Sequence, residues 1–293
     1  MDLDTRHDPF SDDSVEMPIN LEEVDSLEAI VIIDNELDPL SPQPQIPFNG
    51  KKHTILFDAG PEEEAWERNV KRLRPNLSSV EVIHLSHWHR DHSGGLLRAI
   101  RMISDAKRAE SRSGDLVADL HPDRPVYRGI SLPSHIISLQ ADPTFEEIGN
   151  AVSGEIPRVT PYETGLKNAV RYDPDESDWF SDEVIVDERS LICNLKGKGL
   201  VVFTGCSHAG VVNTTKHAVE LTGGTVPVHA VVGGFHLATS DADQIQDTVA
   251  DLKGLDPAVL MPGHCSGWRA KFAIEKHMPG SLVPCTVGSR IIF

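Results

Sequence analysis

Four residues able to hold a metal ion fall within the six-residue run His87-Trp88-His89-Arg90-Asp91-His92. Imidazole nitrogen and carboxylate oxygen suit zinc, and also iron or manganese. In an extended segment, residues i and i+2 point the same way, so His87 and His89 can converge on one ion. Asp91 and His92 follow a change of direction and can serve a second. The apolar stretch at 80–85 delivers the run, and Ser93-Gly94-Gly95 turns the chain away from it. With 14 histidines in the chain, a dense patch can also be a solvated turn, but the i, i+2 spacing favours the metal reading.

The same pattern recurs along the chain. Apolar segments end at glycine turns that carry Asp58, Cys206 with His208, His236 and His264. Glycine turns follow most strands, so one such ending would mean little. Five endings that all present His, Asp or Cys point to one edge of a layered sheet where a site is assembled.

The elements that must position these residues alternate. Segments 28–34, 53–60, 79–86, 184–187, 190–195, 199–204, 228–232 and 258–261 read as strands. The segment at 199–204 is apolar until its end and is expected to be a central strand. Helices are expected at 61–74, 95–108, 211–221 and 241–252, the first with Pro61 at its first position and acids in its first turn. Glu62, Glu63 and Glu64 read as a solvated helix start. A Pro-rich loop spans 38–47. The stretch 109–182 reads as a decorating insertion, with short strands at 125–130 and 136–139 and a short helix at 144–149. Residues 1–25 are acidic and read as a flexible tail, leaving a single domain over 26–293. Strands alternating with helices indicate an α/β layered protein.

Composition narrows the function. Hydrophobic residues at 39% and charged residues at 25% are those of a globular protein. A net charge of −18 argues against a nucleic-acid partner, which requires clustered Lys and Arg. No run approaches 18 apolar residues, so no membrane partner is expected, and the acidic N-terminal stretch lacks the apolar region of a secretory signal. The four cysteines form no CxxC pair, and a reduced cytoplasmic protein is expected. Cys193 and Cys285 read as structural thiols. Oligomeric state is not legible.

Phe57-Asp58-Ala59-Gly60, the HxHxDH motif at 87–92 and Pro262-Gly263-His264 resemble the metallo-β-lactamase superfamily over about residues 28–270. Three further phrases look like one branch: Thr204-Gly-Cys-Ser-His-Ala-Gly210, Gly233-Gly-Phe-His-Leu237 and His264-Cys-Ser-Gly267. That branch includes dihydropterin phosphate synthase-like and fungal lactamase-like proteins. The resemblance implies an αββα four-layer sandwich with one or two metal ions, Zn²⁺ with Fe or Mn as alternatives. It implies that His87 and His89 bind the first ion and that Asp91, His92 and His264 bind the second. Asp58 would orient the motif from behind.

The chain departs from the family pattern where a third histidine is usual for the first ion. His208 is the favoured replacement and Asp187 its rival. Cys206 sits where a bridging aspartate is common, and either ligates as a thiolate or packs under the site. His53, His84, His121, His135, His217, His229 and His277 read as surface or packing residues.

The expected activity is a metal-dependent hydrolase. A metal-bound hydroxide would open a small cyclic amide or ester, a lactam or lactone. Asp91 would handle the proton, and His236 would act as a ligand or a substrate-facing acid. The alternatives are a pterin-type synthase, for which Arg112, Arg124, Arg128, Arg158, Lys167 and Arg171 offer a phosphate-recognising set, and a non-catalytic metal-binding protein.

Overall fold

The computed structural model describes residues 21–33, 42–48, 51–112, 114–132, 135–140 and 155–293. The first half contains β1 (Glu23–Val24), β2 (Glu28–Val31), β3 (Pro42–Phe48) and β4 (Lys51–Phe57). It continues with α1 (Glu63–Leu73), β5 (Val82–His84), α2 (Arg90–Ser93), α3 (Leu96–Ala109) and β6 (Val117–Asp119). Next come β7 (Tyr127–Leu132), β8 (His135–Gln140), β9 (Ala169–Asp173) and β10 (Asp178–Ser181). The second half holds β11 (Leu191–Leu195), β12 (Gly199–Thr204), α4 (Val211–Leu221), β13 (Val228–Gly234), α5 (Ala242–Leu255), β14 (Val259–Gly263), α6 (Trp268–His277) and β15 (Arg290–Ile292).

Two sheets face each other. One runs β15-β2-β3-β4-β5-β6 and the other β1-β11-β12-β13-β14. Successive side chains of a strand point to opposite faces, so each central strand feeds two cores. In β12, Val201 and Phe203 enter the core between the sheets, while Leu200 and Val202 pack outward with Ala218 of α4. In β13, Ala230 and Val232 face inward and Val231 joins Ile245, Val249 and Ile274 under α5 and α6. In β4, Phe57 faces the other sheet, and Leu56 packs with Trp66, Val70, Leu96 and Ile103 of α1 and α3. The result is the expected αββα sandwich. β12 is the middle strand of its sheet, and all six of its residues are buried.

Several expectations need correction. Glu23–Val24, placed in the tail, pairs in parallel with Asn194 and Leu195, and Val24 reaches the core between the sheets. Residues 42–48, within and just beyond the Pro-rich loop, form β3, paired to both β2 and β4, since the φ that proline imposes is compatible with extended backbone. Helix α1 starts at Glu63, because Glu62 is extended at φ −150° and Pro61 lies outside the helix. Residues 184–187 are not a strand: Ile185 has φ 51°, a left-handed conformation that no ladder accepts. β6 pairs in parallel with β5, so the insertion begins after it, and β7–β10 form their own antiparallel sheet in the order β10-β9-β7-β8. The helix expected at 144–149 lies outside the described residues.

Among the described residues, no helix is long and apolar enough to cross a membrane.

Candidate metal centre

The turns at the ends of β4, β12, β13 and β14 carry four non-glycine residues in the left-handed region: Asp58 (φ 61°), Ser207 (φ 61°), His236 (φ 49°) and His264 (φ 50°). Such residues cost about 1–3 kcal/mol each and persist where surrounding structure dictates them. These kinks lie at strand ends of both sheets, along one edge of the sandwich. The turns also need close backbone approach. A Cβ on Gly205 would lie 2.2 Å from Ser86 Oγ and 3.3 Å from Asp58 Oδ2, so only glycine lets β12 end against the loop after β5.

Two donor groups result. Ligand atoms of His87, His89 and His208 lie within 4.8 Å of one another, and so do those of Asp91, His92, Cys206 and His264. In the first group His89 Nδ1 lies 3.0 Å from both His87 Nε2 and His208 Nε2. In the second, Cys206 Sγ lies 3.1 Å from His92 Nε2 and 2.9 Å from His264 Nε2. Asp91 Oδ2 is 3.7 Å from His92 Nε2 and 3.5 Å from His264 Nε2.

A layer behind the donors fixes their orientation. Asp58 Oδ2 lies 2.6 Å from His92 Nδ1, which turns Nε2 toward Cys206. Asp58 also accepts the Ser86 N–H at 2.7 Å and its Oγ–H at 2.8 Å. The same Ser86 Oγ lies 2.9 Å from His87 Nδ1. His208 is fixed through its backbone: Glu188 accepts the His208 N–H at 2.9 Å and the Ala209 N–H at 2.5 Å. Ligand histidines in metalloproteins are held in this way from the far ring nitrogen or the backbone.

Sequence reading offered His208 and Asp187 as rivals for the place beside His87 and His89, and the structure brings His208 there. Asp187 stands one layer back. It accepts the Trp88 N–H at 2.7 Å and pairs with the buried Arg128 guanidinium, which also binds Asp182. It therefore clamps the loop rather than joining the donors. Cys206 does not merely pack beneath the site, because its sulfur lies inside the second group. His236 sits with its ring 4.4 Å from that of His208 and forms a third group with Cys206 and Cys265. Sequence reasoning missed Ser86, Glu188 and Cys265. A signal was present for two of them, since Ser86 and Cys265 each adjoin a candidate ligand, whereas Glu188 sits in the charged run Asp187-Glu188-Arg189, whose burial only the structure shows. His84, read as a packing residue, pairs with Asp119 at 2.6 Å in the interior.

Electrostatics fit a cation in both groups. Burial, reinforced by the neighbouring imidazoles, holds His87 and His208 well below the usual histidine range. Burial and the Arg128 charge push His89 down to about 4. All three are thus neutral, the form that ligates. Neutral imidazoles each carry one ring proton, and His89 Nδ1 cannot satisfy two neighbouring nitrogens at 3.0 Å with it. A cation satisfies all three lone pairs. His92 behaves oppositely: burial would lower it, but Asp58 and Asp91 raise it to about 9, so it carries a proton that a cation would displace. Burial would raise Asp91, but His92, His89 and His264 hold its carboxyl below the usual range. Burial raises the Cys206 thiol, and a metal-bound thiol loses its proton outright.

Residues 48–172 match the metallo-beta-lactamase superfamily. A 7,8-dihydropterin-6-methyl-4-(beta-D-ribofuranosyl)-aminobenzene-5'-phosphate synthase of Methanocaldococcus jannaschii is 27% identical over 248 residues, covering 78% of this chain and 80% of that protein. An uncharacterized protein of the same archaeon is 27% identical over 237 residues, covering 77% of this chain and 83% of its own length. Among solved structures, Tm1679, described as a metal-dependent hydrolase of the beta-lactamase superfamily, superposes with a TM-score of 0.67 at 23% identity, covering 90% of this chain and 98% of that one. The stretch that carries HxHxDH is thus similar to the metallo-β-lactamase superfamily, and the αββα sandwich is the fold that this chain shares with Tm1679.

Proposed function

We propose that this protein is a metal-dependent hydrolase that opens a small cyclic amide or ester. The observation that supports it most is the unequal completeness of the two donor groups. Asp91, His92, Cys206 and His264 make four donors, a full tetrahedral set, whereas His87, His89 and His208 make three. Closed four-donor sites are structural, and three-donor sites leave a position for solvent or substrate. The donors suit zinc, with iron or manganese as alternatives. A Zn²⁺ ion held by His87, His89 and His208 would lower the pKa of water from 15.7 to about 7.

The chain's own residues do the rest. The Asp91 side chain is half-exposed, at 44%. It is placed to take a proton from the attacking water and pass it to the leaving nitrogen or oxygen. His236 lines a small cleft with His208, Phe235, Leu237 and Gln244. Its ring is placed to stabilise the negative charge that grows on the substrate oxygen.

The second reading is a pterin-type synthase, supported by the relative named for that activity. The basic residues once available for a phosphate are mostly engaged elsewhere. Arg128 is buried between Asp182 and Asp187, Arg171 binds Asp123, Arg112 binds Glu110, Arg158 donates to backbone carbonyls, and Arg124 lies over the Trp88 ring. A separating experiment assays metal-loaded protein against lactams, lactones and thioesters, alongside binding of a phosphorylated pterin. The hydrolase reading expects turnover of a cyclic amide or ester that is lost in Asp91→Ala. Full activity in Asp91→Ala or His87→Ala, with metal retained, contradicts it. Pterin binding without hydrolysis moves the assignment to the second reading.

A further inference from the structure

We propose that Cys265 is an oxidation site for hydroperoxides and that its end product is a Cys206–Cys265 disulfide, which excludes the ion held by Asp91, His92, Cys206 and His264. The exclusion rests on the metal reading above; the crosslink does not. Cys206 follows β12 and Cys265 follows β14, two strands separated by β13. Their sulfurs nevertheless fall in one group whose ligand atoms lie within 4.8 Å of each other. The Cys265 thiol donates to the Cys206 carbonyl oxygen at 3.4 Å. Gly234, at the end of the intervening β13, makes this possible, since a Cβ there would stand 3.0 Å from Cys265 Sγ and 2.4 Å from the Gly205 carbonyl oxygen. A disulfide needs an S–S separation of about 2.05 Å, so side-chain rotation must close the remaining gap.

The two sulfurs differ in access. Cys265 is partly exposed, whereas Cys206 is buried. A hydroperoxide therefore meets Cys265 first. Its sulfur attacks the peroxide O–O bond, giving the sulfenic acid and releasing an alcohol or water. Cys206 sulfur then attacks the Cys265 sulfur, forming the S–S bond and releasing water. Two thiols are oxidised and one peroxide is reduced. The thiolate is the metal ligand, and a disulfide sulfur no longer serves as one. Metal and crosslink are then mutually exclusive at Cys206. Cys193 and Cys285 lie in the core between the sheets, separate from this pair.

The test treats the full chain, with metal removed, with hydrogen peroxide and maps peptides without reduction. The expected result is a peptide joining Cys206 to Cys265, absent from both Cys265→Ser and Cys265→Ala. The crosslinked protein should bind one zinc ion fewer than the reduced protein and regain it after dithiothreitol, and prior zinc loading should slow the crosslink. Oxidation of Cys265 to sulfinic acid with the Cys206 thiol intact overturns the disulfide. A crosslinked protein with unchanged zinc capacity overturns the exclusion. If reduced protein takes up no zinc, the exclusion falls together with the metal reading, and the peptide map still decides the crosslink.

Discussion

Replacing Arg128 with alanine should destabilise the fold by about 3–5 kcal/mol, the cost of removing one partner from a buried ion pair. Arg128 comes from β7, in the inserted sheet, and its side chain is 4% exposed between Asp182 and Asp187. Without it two buried carboxylates lose the guanidinium that pairs them. One of them, Asp187, also receives the Trp88 N–H, so the loss reaches the turn that carries His87 and His89. Chemical unfolding of the metal-free protein measures the effect without contribution from bound ions. A loss below about 1 kcal/mol, the scale of an exposed pair, would mean that water reaches the pair and that the insertion does not brace the site.

Asp58→Asn should weaken metal binding about 10–100-fold while keeping nearly the same volume. Asp58 uses both oxygens: one accepts the Ser86 N–H, and the other lies 2.6 Å from His92 Nδ1 and accepts the Ser86 hydroxyl. An amide offers one acceptor where the carboxylate offers two. It also removes the charge that favours the Nδ1 proton, the tautomer that leaves Nε2 free to ligate. The measurement is a competition titration with a chelating dye, on protein whose unfolding midpoint has been compared with that of wild type. Unchanged affinity would show that Asp58 supports the fold without tuning the site.

Much of the sandwich was legible because it rests on local signals. Val201 and Phe203 alternate with Leu200 and Val202, and an unbroken apolar run ending in a glycine turn fits a central strand flanked by two layers. The strand-end donors were legible for the same reason, since each ends an apolar segment. What the sequence hid depends on contacts between distant segments. Arg128 and Asp187 are 59 residues apart, and no local pattern joins them. Three buried charges in a row at 187–189 look like a surface turn until Arg128, Asp119 and the His208 backbone are seen to receive them. The short β1 was hidden in an acidic stretch, because pairing with β11, rather than its own composition, makes it a strand.

The central claim is that His208 completes a three-histidine group while Asp187 only braces it. Elemental analysis of zinc-loaded wild type, His208→Ala and Asp187→Ala tests this most directly. The expected result is two ions per chain in wild type, one in His208→Ala and two, more weakly held, in Asp187→Ala. A His208→Ala protein that keeps both ions, or an Asp187→Ala protein that loses one outright, would contradict it.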